Sequence, residues 1–188
     1  MSTDLIEKIE LPSGHQILLY PDPDAENPRE WDNTGHMICS HGRYDLGDPD
    51  ERKEFDLDEA DSWDSLLDLV SEKHGELIKL PVHMLDHSGL AFSTTEFSDP
   101  WDSGQVGWIY VPISEIKDQF DDITDEVREQ IMEGLRAEVK TYGTYINGEC
   151  VRYELVDALG DSIDSCGGFY STKEAEEAAR ENIPNEEE

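Results

Sequence analysis

Apolar positions along the chain fall into short runs separated by turn-forming residues, and the spacing within each run predicts its element. Ile6 to Tyr20 has apolar residues on two arms joined by Pro12-Ser13-Gly14, which predicts a hairpin. The stretch PDPDAENPREWDNTG that follows is rich in Pro, Asp and Asn and reads as an irregular surface loop, pinned to the core by Trp31. Met37 to Ser40 is a short strand that empties into a polar loop carrying His41, Arg43, Tyr44 and Asp48. From Asp58 to His74 the period becomes helical, with Trp63, Leu66, Leu67, Val70 and His74 three or four apart and Gly75 at the capping position. Leu77 to Leu85 is a strand whose Pro81 is tolerable on an edge or at a bulge, Asp86-His87-Ser88-Gly89 is a turn, and Leu90 to Thr95 is the return. A loop over residues 96–105 then leads to a strand from Val106 to Val111. Ser114 is placed to cap a short helix. Val127, Ile131, Leu135, Val139, Tyr142 and Ile146 define a long amphipathic helix that stops at Asn147-Gly148. Residues 149–156 and 163–170, around Gly160-Asp161, predict a second hairpin. Ser171-Thr172-Lys173-Glu174 is a capping box opening an alanine-rich helix to about Asn182.

Strands in hairpin-like pairs, with no regular alternation of strand and helix, predict an α+β fold: a mainly antiparallel sheet of about seven strands with three to four helices packed on it. A doubly wound parallel sheet would need helical crossovers between most strands, and the sequence offers one or two. Without an internal repeat or long linker, residues 1–183 read as a single domain, with 184–188 an acidic flexible tail.

Charge narrows the setting. The 188 residues carry 46 acidic and 14 basic side chains, a formal net charge of -32, with only seven lysines. An acidic surface stays hydrated where concentrated salt screens its self-repulsion, so the chain reads as halophilic. The competing explanation, carboxylates imitating DNA phosphates in an anti-restriction protein, predicts acids gathered on one face, whereas here they run from Asp4 to Glu188. Direct nucleic-acid binding is not expected, because phosphate contacts need clustered Lys and Arg. Neither a signal peptide nor an apolar run of about 18 residues is visible, so the expected location is a host cytoplasm or a virion assembled there, with no membrane contact. Cys39, Cys150 and Cys166 are too few and too scattered for a disulfide framework. No GxGxxG, GxxxxGK[ST], GxSxG or HExxH pattern occurs, and no cofactor is expected.

Four groups carry candidate chemistry. His87 stands between Asp86 and Ser88, which suits a general base oriented by a neighbour; the plainer reading is that both neighbours bond their own turn backbone. Asp99-Pro100-Trp101-Asp102-Ser103-Gly104-Gln105 can form a ligand pocket in which Trp101 is a stacking face and Asp102, Ser103 and Gln105 bond the ligand; alternatively Trp101 plugs a sheet end. His36, Cys39 and His41 offer metal-ligand atoms, yet on a strand His36 and Cys39 point to opposite faces, so no metal is assigned. Arg43, one of few cations, with His41, Tyr44 and Asp48, suits an anionic ligand or a local ion pair.

The order of these motifs resembles a family of uncharacterised small proteins of tailed phages and other mobile elements. The resemblance runs through Trp31-Asp32-Asn33 with Gly35 and Met37, His41 with Arg43-Tyr44 and Leu46-Gly47-Asp48, Asp86-His87-Ser88-Gly89 with Ser93-Thr94, Pro100 to Gly107, and Asp164 to Tyr170. Where that pattern has a cysteine before the proline, this chain has Asp99, so no thiol chemistry is implied there. The resemblance implies a viral or proviral setting and no particular activity. Together the readings give an accessory protein of a halophilic virus or provirus that binds a polar ligand or host protein through residues 41–48, 86–89 and 99–105. A hydrolase or transferase with His87 as base and Asp102 as its partner is the alternative.

Overall fold

A computed structural model describes residues 4–55, 57 and 60–184. The acidic tail expected at 184–188 and the helix start expected at Asp58 therefore fall largely outside the described residues. Within them the chain is α+β, with eight strands in two antiparallel four-stranded sheets and five α-helices. The expected single sheet of about seven strands is thus two sheets. Hairpin-like pairs are legible from local turns, but which pairs join depends on contacts such as strand 16–21 against strand 151–156, which no local signal encodes.

The chain divides into two compact units, residues 1–27 with 144–188 and residues 28–143. In the first, β1 (Glu7–Glu10), β2 (Gln16–Pro21), β7 (Val151–Val156) and β8 (Ser162–Phe169) lie in that order. Alternate side chains of β2 and β7, Ile17, Leu19, Tyr153 and Leu155, are buried together with Ala175 and Ala179 of α5 (Thr172–Glu181), the period-two face meeting a small-residue helix stripe. Ser171 caps that helix by accepting from Glu174 N, one half of the expected capping box.

The second unit orders its strands β3 (His36–Cys39), β6 (Ser103–Pro112), β4 (Leu77–Asp86) and β5 (Leu90–Ser93). One face buries Ile38 and Tyr110 against Phe55, Leu66 and Val70, the last two from α2 (Trp63–His74). Toward the other face Leu135 of α4 (Asp125–Ile146) and Ile109 both crowd Gly35, and Phe92 meets the Tyr142 ring edge-on at 5.5 Å. Pro81 pairs only with Trp108, beyond the end of β5 and beside a register shift at Val82/His83, so its missing N–H costs no ladder bond on the open side.

Several boundaries move. The helix expected from Asp58 begins at Trp63, because Ser62 and Ser65 form a reciprocal cap there. Ser114 lies inside α3 (Ile113–Ile116), whose N-cap is Pro112. The polar stretch after Asp48 forms α1 (Pro49–Glu54), which has no apolar period to announce it. Trp31 is 45% exposed and does not anchor its loop in the core. Arg29 takes that part: its side chain, 2% exposed, donates to Asp48 Oδ1 at 2.7 Å and Oδ2 at 2.9 Å, to Glu138 Oε2 at 2.8 Å and to the Gly35 carbonyl. Burial opposes its charge, but these carboxylates outweigh burial and raise its pKa.

Candidate functional site

Sheet register brings the three polar loops to one end. Strand β6 pairs with β4 on the side away from β5, so the chain leaving β5 at Ser93 must return to the end where the 86–89 turn lies before β6 can start at Ser103 opposite Leu85. Asp86 N then donates to the Asp102 carbonyl at 2.8 Å, locking turn and loop together. Strand β3 runs antiparallel to β6 and leaves it where Ser40 N donates to the Val106 carbonyl at 2.9 Å, delivering His41 and Arg43 to the same place.

Here Arg43 Nη2 donates to Asp86 Oδ2 at 2.5 Å and to the Tyr44 hydroxyl at 2.6 Å, and that hydroxyl donates to the same Asp86 oxygen at 3.2 Å. His41 stacks on Tyr44 with centroids 5.1 Å apart. In the adjoining turn His87 Nδ1 donates to Asp102 Oδ2 at 2.8 Å; a carboxylate only accepts, so Nδ1 carries the proton. The hydrogen bond to Asp102 and its charge, with the charge of Asp99 behind it, raise the His87 pKa. Ser88 forms the apex of the turn at φ 60°, the left-handed region.

A shallow depression of about 420 Å³ opens between the loops, walled by His41, Arg43, Asp86, Trp101, Asp102, Ser103 and Gln105, with Met84 and Val106 as its floor. Trp101 is 92% exposed and plugs nothing. The Ser103 hydroxyl donates to the Asp99 carbonyl, and Gln105 Nε2 donates to the Gly107 carbonyl at 3.1 Å, which holds both side chains in place.

Of the residues expected at the site, His41, Arg43, Tyr44, Asp86, His87, Trp101, Asp102, Ser103 and Gln105 lie together, whereas Asp48 is diverted to Arg29 and to the Met37 N–H at 2.7 Å. The sequence assigns Asp99 no role of its own within the 99–105 loop. Its side chain accepts from Trp101 N at 2.9 Å and Asp102 N at 3.3 Å, a turn whose sequence signal is the Asp99-Pro100 dipeptide. His36, Cys39 and His41 do not gather: Cys39 is fully buried, and His36 is held elsewhere.

His36 belongs to a second polar cluster on the α2-side face. Its Nδ1 donates to Glu51 at 3.0 Å and its Nε2 to Glu115 at 2.9 Å, so the ring is an imidazolium. It stacks on Tyr110, whose hydroxyl donates to Glu51. The Glu51 hydrogen bond, opposed by burial and supported by Glu115, raises the His36 pKa to about 9. A raised pKa stabilises the fold fully below the ordinary value of 6.5, and that stability is lost as pH rises through about 9. We expect the urea midpoint to fall between pH 7 and pH 10 by an amount worth about 1–2 kcal/mol, discounted because the side chain is 34% exposed. H36Q should remove that component; an identical fall in the variant would assign it to other groups.

No family model, curated protein or solved structure matches this chain. No helix among the described residues is long and apolar enough to cross a membrane.

Proposed function

We propose that the chain is a binding protein whose ligand site is the three-loop face, and that it serves as an accessory protein of a halophilic virus or provirus. The observation that carries the first part is the convergence of residues 41–44, 86–87 and 99–105 around a polar depression with a wholly exposed indole at its rim. Leaving a tryptophan ring in water forgoes burial worth roughly 1.5–3 kcal/mol, and the surrounding polar groups already have partners that fix them. Such a face suits a small polyhydroxylated ligand with one flat apolar side: the indole covers that side while Asp86, Asp102 and Gln105 bond its hydroxyls. A host protein inserting a polar loop is the other occupant of the same chemistry. The acidic balance supports the halophilic setting, and the motif resemblance alone supports the viral one.

Titration with a panel of pyranose sugars and nucleosides, read by indole fluorescence in about 1 M KCl, tests the reading. Saturable quenching is expected with at least one class, lost in W101A while W101A unfolds within about 0.5 kcal/mol of the parent. Near-UV circular dichroism in dilute buffer checks the setting: a fold that weakens as salt is added contradicts halophilic adaptation.

The His87–Asp102 hydrogen bond supports a second reading, in which His87 Nε2 acts as a base in hydrolysis or group transfer. It ranks lower because the pair is open to water, with side chains 65% and 43% exposed, and His87 does not line the depression. Phosphate mimicry ranks lower still: acidic side chains occur on β1, α1, α2, α4 and α5 alike.

A further inference from the structure

The turn and the long loop bring three metal-ligating side chains together at the edge of the depression. Donor atoms of His87, Asp99 and Asp102 all lie within 4.8 Å of one another. The set is mixed, one imidazole and two carboxylates, and each member is fixed by a different constraint. Asp102 is held through its carbonyl by Asp86 N, Asp99 by the two backbone N–H groups it accepts, and His87 by a turn in which its N–H donates to the Gly89 carbonyl at 3.1 Å. Two donors bound ~2.1 Å from one ion at tetrahedral or octahedral angles stand ~3.0–3.4 Å apart. His87 Nδ1 and Asp102 Oδ2, at 2.8 Å, are already close to that separation.

We propose that His87, Asp99 and Asp102 bind one divalent transition-metal ion of the zinc type, which presents its open coordination positions to the depression beside Trp101. An imidazole with two carboxylates selects a borderline ion over Mg²⁺ or Ca²⁺, which prefer all-oxygen shells. The two carboxylates match the ion's charge, and the proton on His87 Nδ1 leaves to solvent as the nitrogen binds, so affinity rises with pH. Three protein ligands leave room for water or for adjacent hydroxyls of a ligand lying on the indole. The inference deepens the reading of this face as a ligand site and rests on it for the ion's role, though not for its presence.

Calorimetric titration of the full chain with Zn²⁺ decides it, in about 1 M KCl, where a screening length of ~3 Å suppresses diffuse counterion uptake, and with Mg²⁺ present to occupy ordinary surface carboxylates. The expected result is one saturable site per chain, stronger at higher pH, and weakened at least ~10-fold in H87Q and in D99N. D121N/D122N, two exposed acids on another loop, should leave it unchanged. Absence of saturable binding, equal loss in D121N/D122N, or full affinity in H87Q with its fold verified by circular dichroism overturns the proposal. W101A removes no metal ligand: sugar binding lost with Zn²⁺ binding intact separates the two claims. Zn²⁺ failing while sugars still bind leaves the ligand reading and removes this inference alone.

Discussion

R29M should lose about 3–5 kcal/mol of unfolding free energy, because it removes the one cation from a buried network and leaves its acceptors behind. Asp48 and Glu138 are only 18% and 17% exposed at the side chain, and the Gly35 carbonyl also loses its donor. Methionine fills the volume but offers no proton, so Asp48 is left with the Met37 N–H and Glu138 with those of Thr34 and Gly35, and both charges lose the guanidinium that balanced them. Since small domains are stable by about 5–15 kcal/mol, much of the fold's margin goes with one side chain. Urea denaturation followed by tryptophan fluorescence measures it. A change below about 1 kcal/mol would mean that water reaches these groups readily and that the network is not what orders the 28–48 segment.

G107A should cost roughly 3 kcal/mol, the upper end of the range for overpacking, and should also disorder the ligand face. A Cβ on Gly107 would sit 2.1 Å from the Ile38 carbonyl oxygen and 2.7 Å from Cys39 Sγ. The first obstacle is backbone of the neighbouring strand, so relief requires β3 to move away from β6. The ladder ends there with Ser40 N on the Val106 carbonyl, and moving it carries His41 and Arg43 away from Asp86. G104A provides the contrast: nothing lies within 4 Å of a Cβ there, and it should change stability by no more than about 0.5 kcal/mol. Equal stability of the two variants would show that β3 is loosely paired and that the register argument for the site fails.

What the sequence made legible was local. The 86–89 turn, the Gly75 cap, the long helix through Tyr142 and the second hairpin all follow from spacing or turn chemistry within a few residues, and each is present. What it hid was the pairing between hairpins, β2 with β7 and β6 with β3 and β4. Consecutive turns of a simple meander fall at opposite ends of the sheet, which would separate His87 from Asp102; pairing β6 with the far side of β4 puts them at the same end. Ser103 and Gly104 are poor strand formers, so the early start of β6 that fixes this register carries no propensity signal. A polar loop residue so near Arg43 suggests a ligand role for Asp48; its partner in the fold, Arg29, lies across an irregular segment. Arg29 itself is a lone cation among acids, and only the fold reveals that it is buried.

The central claim is that residues 41–44, 86–87 and 99–105 form one ligand-binding surface. An amide correlation spectrum of the labelled chain, recorded while the sugar or nucleoside that quenches most strongly is added, tests it most directly. The account predicts saturable shifts in all three segments with a common dissociation constant, together with the indole resonance of Trp101. Shifts confined to one segment, or scattered over β1, α5 and the rest of the surface, would contradict it.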